Sequence, residues 1–180
     1  SFGNAAPARY RNRLESPELA GGVTLDMGVY PISTACYLMD SLPEKVQSMA
    51  HICETGVDDT ANYLLRFPGG RFASLSASFN LKMDNVAHIY GSKGSITMPD
   101  FHQGDHFEIS LYGEDNQIAS TETVRPEQNP NGFVHEVEEV RDCIAAGLTE
   151  SKLMPIDETI GIMEIMDAMR AEWGLKYPFE

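Results

Sequence analysis

The sequence predicts an α+β domain: a largely antiparallel, open β-sheet with helices packed on one face. Three observations carry that expectation. Apolar residues recur at helical spacing from Leu25 to Cys36, alternate with polar ones at period two between Lys45 and Val124, and return to helical spacing from Phe133 to Trp173. One helix, a run of strands and then two helices is the order in which helices segregate to one face of an antiparallel sheet. A chain of 180 residues with 42% hydrophobic content can bury one substantial core, so residues 1–180 read as a single domain.

Residues 4–20 are rich in Arg, Pro and Asn and read as an irregular entry segment. Leu25, Val29, Ile32 and Cys36 then follow the i, i+4, i+7, i+11 rhythm of a buried helix face. Pro31 lacks a backbone donor, so the helix either kinks there or begins its regular bonding there, and Ser41-Leu42-Pro43 ends it. Among the strands, Val46, Ser48, Ala50 and Ile52 share one face, as do Ala61, Tyr63, Leu65 and Phe67. Phe67-Pro68-Gly69-Gly70-Arg71 reads as a hairpin turn into a strand whose Ala73, Leu75, Ala77 and Phe79 lie opposite Phe72, Ser74, Ser76 and Ser78. Strands at 86–90 and 95–98 flank the Gly91–Gly94 turn, and two more are expected at 107–112 and 117–124. Short turns between them favour a largely antiparallel sheet. In the tail, Phe133, Val137, Val140 and Ile144 form a stripe ended by Gly147. Pro155 opens a second pattern through Ile160, Met163, Met166 and Met169 to Trp173, with Asp157 and Glu158 suited to its first turn. That methionine stripe reads as core rather than a cofactor pocket.

The net charge of −14, without a basic stripe, argues against phosphate-backbone contacts and so against nucleic acid. The one local basic cluster is Arg9, Arg11 and Arg13, which is either solvated and paired with acidic neighbours or a substrate or anion contact. Cys36, Cys53 and Cys143 are odd in number and far apart, which suggests reduced thiols in a reducing compartment. With no apolar run near the roughly 18 residues that span a bilayer, and no leader, the expected location is cytoplasmic, without membrane contact. The start at Ser1 rather than Met suggests a piece of something longer. Gly91-Ser92-Lys93-Gly94-Ser95 has its residues in the wrong order for a phosphate loop and lies between strands, so it reads as a turn. Around His102 and His106 there is no third ligand at an anchored spacing, so no metal is expected. No Gly-x-Gly-x-x-Gly follows a strand, and no cofactor-binding residue is expected in this chain.

The most informative stretch is Gly21-Gly22-Val23-Thr24-Leu25-Asp26-Met27-Gly28-Val29-Tyr30. Residues at i and i+4 of a helix share a face, so Asp26 and Tyr30 could reach one cleft. A carboxylate beside a phenol is a plausible proton-transfer pair, because a phenol with a pKa of about 10 needs an electrostatic neighbour to act near neutrality. Spacing alone equally admits a Tyr at a helix edge and an Asp answering the helix dipole.

The run GGVTLDMGVYPISTACYLM resembles the Gly-Gly-x-x-x-Asp-x-Gly-x-His/Tyr signature of the glucose-fructose oxidoreductase / inositol dehydrogenase / rhizopine-catabolism (Gfo/Idh/MocA) family. Its Tyr form is similar to the branch of the dimeric dihydrodiol dehydrogenases. Phe67-Pro68-Gly69-Gly70, Gly91-Ser92-Lys93-Gly94-Ser95-Ile96 and Trp173-Gly174-Leu175-Lys176-Tyr177-Pro178 resemble that family's second domain, in the expected order.

The resemblance implies an NAD- or NADP-dependent oxidoreductase acting on a sugar, polyol or cyclic diol hydroxyl. It makes Tyr30 the acid/base residue and Asp26 its orienting or polarising partner; Arg11, Arg13 and Met27 are further candidate substrate contacts in this sequence. It also implies a homodimer through the open sheet face. In the family a lysine of a Glu-Lys-Pro motif, in a preceding Rossmann domain, completes the site. Here Pro43-Glu44-Lys45-Val46 is not that motif and lies on the wrong side of the signature. The chain is thus expected to be the C-terminal substrate-binding and oligomerisation domain, inactive alone, with the nucleotide bound mainly by the absent half. The rival expectation is a non-catalytic scaffold that dimerises and holds a sugar.

Overall fold

The computed structural model describes residues 1–5, 12–127 and 131–180. They gather into two compact units, Ser1–Met83 with Leu153–Glu180, and Asp84–Lys152. Where the sequence reads as one sheet in one domain, the described strands divide into two sheets of four. Tight turns encode which strands are sequence neighbours, but they do not encode where a ladder stops, and the ladder stops between Ser78 and Ala87.

In the first unit β1 (Phe2–Gly3), β2 (Lys45–Ile52), β3 (Asp58–Phe67) and β4 (Arg71–Ser78) form a sheet in the order β1-β4-β3-β2. The β2–β3 and β3–β4 pairs are antiparallel, while β1 adds to the free edge of β4 in parallel. Of the helices α1 (Val29–Met39), α2 (Val134–Ala145) and α3 (Ile156–Trp173), α1 and α3 belong to this unit and pack on one face of its sheet. Period two decides that face. Ala61, Tyr63, Leu65 and Phe67 of β3 are buried under Ile32 and Cys36 of α1 and Met166 and Met169 of α3. Each large apolar side chain so buried contributes about 1.5–3 kcal/mol. The opposite face exposes Met49, Leu64 and Phe72.

Some details depart from the simple period. Pairing shifts by one residue between His51 and Ile52, so Ile52 leaves the core face it was expected to share with Val46 and Ala50. Ser78, expected on the open face, is buried, and its hydroxyl accepts from the N–H groups of Asn80 and Leu81. In α3 the buried side is Ile162, Met166 and Met169, while Ile160 and Met163 turn outward. An i, i+3 step falls short of a full turn, so the expected stripe drifts round the helix. Arg71 secures the end of α1, donating from Nε to the Pro68 carbonyl and from Nη1 to the Met39 carbonyl, both at 2.9 Å.

The second unit holds β5 (Ala87–Gly91), β6 (Gly94–Met98), β7 (Phe107–Tyr112) and β8 (Ile118–Val124) as an antiparallel meander, together with α2. The apolar stripe of α2 forms at the predicted spacing, but Phe133, Val137, Val140 and Ile144 are all exposed.

Candidate functional site

The signature segment is held by a buried polar network that enters from β3. Asp58 is 1% exposed, and its Oδ2 accepts from the Thr24 backbone N–H at 2.8 Å and from the Thr24 hydroxyl at 2.5 Å. With that proton committed to Asp58, the Thr24 oxygen can accept from the Tyr63 hydroxyl, 2.9 Å away. A second phenol, Tyr177, donates to the Gly21 carbonyl at 2.5 Å, and the Arg170 guanidinium lies 4.6 Å over its ring.

Two of the signature glycines are explained by this network. Gly22 has φ +123°, and a Cβ there would overlap the Asp58 carboxylate. Gly28 has ordinary helical angles, yet a Cβ would stand 2.5 Å from the Tyr63 hydroxyl oxygen. Glycine is required at the first by conformation and contact together, and at the second by contact alone.

Burial sets the ionisation of the network. It pushes the Asp58 carboxyl above its usual range, against the pull of the Thr24 hydrogen bonds. It also raises Tyr63, and lifts Tyr177 to about 12. Among the described residues Asp58 Oδ1 has no hydrogen-bond partner, an uncommon state for a buried carboxylate oxygen.

Asp26 lies within a π-helical turn, Thr24–Gly28, that passes into α1 at Val29, and Tyr30 follows as the second residue of that helix. Isolated π-turns insert one extra residue into the hydrogen-bond ring and occur often at functional sites. The turn also resolves the difficulty of Pro31, because regular α-helix begins at Val29 and the missing donor falls in its first turn. Asp26 is half-buried and paired with Arg13, whose Nη2 donates to its Oδ1. Exposed ion pairs contribute little energy, so the effect of Arg13 is to orient the carboxylate. Tyr30 is 49% exposed, with its ring edge-on to Phe2 of β1 at a centroid distance of 5.3 Å.

The remaining candidates separate. Arg13 joins the Asp26 group. Met27, expected to touch substrate, is buried in the core among the residues around Tyr63, so packing accounts for it. Arg11 lies outside the described residues. Among the described residues, no three His, Cys, Asp or Glu side chains are grouped as metal ligands, and no helix is long and apolar enough to cross a membrane. Cys36 is buried in the core, and burial, with a smaller contribution from Glu158, pushes its thiol up to about 11.

Sequence reasoning missed Asp58, Thr24 and Tyr177. Two signals bore on the network: a carboxylate pair, Asp58-Asp59, heading a strand of alternating apolar and polar residues, and Tyr63 at a core-facing position of that strand. A buried phenol needs a partner for its hydroxyl.

Residues 1–97 match the family model described as the GFO/IDH/MocA C-terminal domain. A trans-1,2-dihydrobenzene-1,2-diol dehydrogenase from Xenopus laevis is 32% identical over 169 residues, which is 92% of this chain and 51% of that protein. The enzyme of the same name from Mus musculus is 31% identical over 162 residues, covering 88% of this chain and 48% of that one. The chain thus spans about half the length of these relatives. In fold it is similar to an aldose-aldose oxidoreductase from Caulobacter crescentus complexed with glycerol, at TM-score 0.77 and 23% identity over 94% of this chain and 50% of that one. It is likewise similar to a 3-ketoreductase from Actinomadura kijaniata in complex with NADP, at TM-score 0.73 and 18% identity over 94% and 51% of the two chains. The chain belongs to the Gfo/Idh/MocA family, of which it carries the C-terminal domain.

Proposed function

We propose that this chain is the substrate-binding half of a nicotinamide-dependent oxidoreductase that acts on a hydroxyl group of a sugar, polyol or cyclic diol. The observation that carries the reading is the signature segment itself, fixed to the sheet through Asp58 and Tyr63 and presenting Asp26 on a π-turn and Tyr30 just after it. The names of the relatives supply the substrate range: a cyclic diol in the dihydrodiol dehydrogenases and a sugar in the aldose-aldose oxidoreductase.

The described residues do not fit a dinucleotide. Apart from the two-residue edge strand β1 every pairing is antiparallel, and no strand turns through a glycine-rich loop into a helix. NAD or NADP is assigned to the half of the relatives that lies outside this chain, and the residues present here handle the proton. Oxidation of an alcohol releases a proton from oxygen as the C–H bond is lost. A deprotonated Tyr30 oxygen receives it, and in the reducing direction the Tyr30 phenol returns it to the carbonyl oxygen. Arg13 holds the Asp26 carboxylate in place, and the carboxylate orients the substrate hydroxyl and the phenol. General acid–base participation of this kind is worth about 10²–10⁴-fold.

The test is Tyr30→Phe in the polypeptide that supplies the nucleotide-binding half. It keeps the ring against Phe2 and removes the proton carrier, so turnover should fall by about 10²–10⁴-fold with stability nearly unchanged. Near-normal turnover, with chemistry rate-limiting, would refute the reading.

The sheet face that carries Met49, Leu64 and Phe72 is proposed to pair two copies of the chain. Met49 is 78% and Phe72 58% exposed, and the small polar pair Asn62–Ser76 bridges β3 and β4 on the same face at 2.8 Å. The middle of such a face can be covered while Lys45 and Arg66, at one end of the ladder on the same face, stay at its rim in water, and two-fold pairs are the commonest closed homo-oligomers.

A further inference from the structure

The links that the polar network makes from β3 bear on the turn that carries Asp26 and leads into Tyr30. Thr24 is the first residue of the π-turn and Gly28 the last. Both are pinned from the same strand, Thr24 by Asp58 at the start of β3 and Gly28 by the Tyr63 hydroxyl that fills the space of its missing Cβ. A π-turn is intrinsically unfavourable and persists where its surroundings over-determine it. Here the surroundings are three buried side chains joined Tyr63 to Thr24 to Asp58, with the Thr24 hydroxyl as the common member.

We propose that Asp58, Thr24 and Tyr63 are positioning residues: their hydrogen-bonded chain holds the Thr24–Gly28 turn open to its wider winding and so sets the separation and facing of Asp26 and Tyr30. This rests on the proposed roles of those two residues. Without the Thr24 hydroxyl, Asp58 keeps only its bond from the backbone N–H, and the buried Tyr63 hydroxyl loses its acceptor. The segment is then free to tighten toward ordinary α-helix, which rotates Tyr30 relative to Asp26. Side-chain volume alone does not secure the turn, so a hydroxyl-bearing substitute should restore it.

The experiment compares Thr24→Val, which keeps shape and loses the hydroxyl, with Thr24→Ser, which keeps the hydroxyl, and with Tyr63→Phe. Amide hydrogen exchange is read residue by residue on the 180-residue chain. Thr24→Val and Tyr63→Phe should speed exchange across positions 24–30 by roughly tenfold, the effect of one buried hydrogen bond. Exchange in the middle of β3 should stay within about threefold, as expected for a local opening, and Thr24→Ser should resemble the parent. Unchanged exchange at positions 24–30 in Thr24→Val, a uniform rise across the sheet, or Thr24→Ser behaving like Thr24→Val would each overturn the proposal. Should Thr24→Val fail to fold, Tyr63→Phe alone carries the comparison.

The same variants are then assayed with trans-1,2-dihydrobenzene-1,2-diol and NADP in the polypeptide that supplies the nucleotide-binding half. Thr24→Val should lower kcat by roughly tenfold with KM nearly unchanged, the pattern of lost alignment rather than lost binding. Tyr30→Phe runs beside it to separate the two failures. A fall in Tyr30→Phe but not in Thr24→Val overturns the positioning role, whereas full turnover in Tyr30→Phe overturns the reading of the site and leaves the exchange result to judge the turn.

Discussion

Gly28→Ala should destabilise the protein, although alanine is normally the better helix former. The backbone at Gly28 has φ −66° and ψ −29°, where alanine is unstrained and favoured over glycine by about 0.5–1 kcal/mol. Contact reverses the sign. The new Cβ would lie 2.5 Å from the Tyr63 hydroxyl oxygen and 3.2 Å from the ring carbon that bears it. Tyr63 is buried between sheet and helix and cannot swing aside, so overpacking costs about 1–3 kcal/mol. A displaced hydroxyl also loses Thr24, and an unsatisfied buried group costs about 1–3 kcal/mol more. The net loss is then about 1–5 kcal/mol. Tyr63→Phe removes the oxygen that the Cβ meets and by itself costs about 1 kcal/mol. In that background Gly28→Ala meets only the ring carbon, which can yield by a few tenths of an ångström, and its cost should fall below about 1 kcal/mol. Urea denaturation of the four proteins gives the cycle, and a coupling of about 1–3 kcal/mol is expected. Additive costs, with coupling under about 0.5 kcal/mol, would refute the account of why glycine stands there.

Asp58 should leave a mark on the pH dependence of stability. Its folded carboxyl titrates above the usual aspartate value of about 3.9, so between the two values the folded state holds more protons and stability falls as pH rises. Asp105, Asp142 and Glu180 are shifted the other way and lose stability as pH falls, so the comparison must be a difference. The stability of the parent minus that of Asp58→Asn, from denaturation at several pH values, should decline through that window and be level above it; a flat difference would show that burial does not control the group. Ser76→Arg should weaken the proposed dimer at micromolar concentration in sedimentation equilibrium, and a dimer indifferent to the arginine would remove the sheet face as the interface. Cys36 should resist thiol reagents until the chain unfolds, since it is buried and its thiol titrates near 11; labelling as fast as that of an unfolded cysteine would contradict its place in the core.

The strands were legible because period two registers directly which face is wet, and β3 shows it over four successive buried positions, Ala61, Tyr63, Leu65 and Phe67. What pattern could not supply was any effect that depends on a partner distant in sequence. Ile52 leaves the core because pairing with Asp58 skips a residue, a property of two strands together. Met27 stood as a candidate substrate contact, and its place in the core beside residues such as Tyr63 was not visible in the local pattern. Asp26 and Tyr30 stood out through the local motif, and Arg13 through the basic cluster. Asp58 did not, because its partner lies 34 residues away and its meaning comes from burial.

The hydrogen bond from Tyr177 to the Gly21 carbonyl joins positions 156 residues apart. Loop closure over such a span must be met before the contact rewards it. During synthesis, β2, β3 and β4 can pair as they emerge, but the Gly21 carbonyl waits for nearly the whole chain. The Glu180 carboxylate reinforces the late step, accepting from the Tyr177 backbone N–H and from Arg170. Deleting residues 177–180 would therefore leave a sheet able to form over an entry segment without its final anchor. The segment that presents Asp26 and Tyr30 is, by this wiring, among the last parts of the chain to become native.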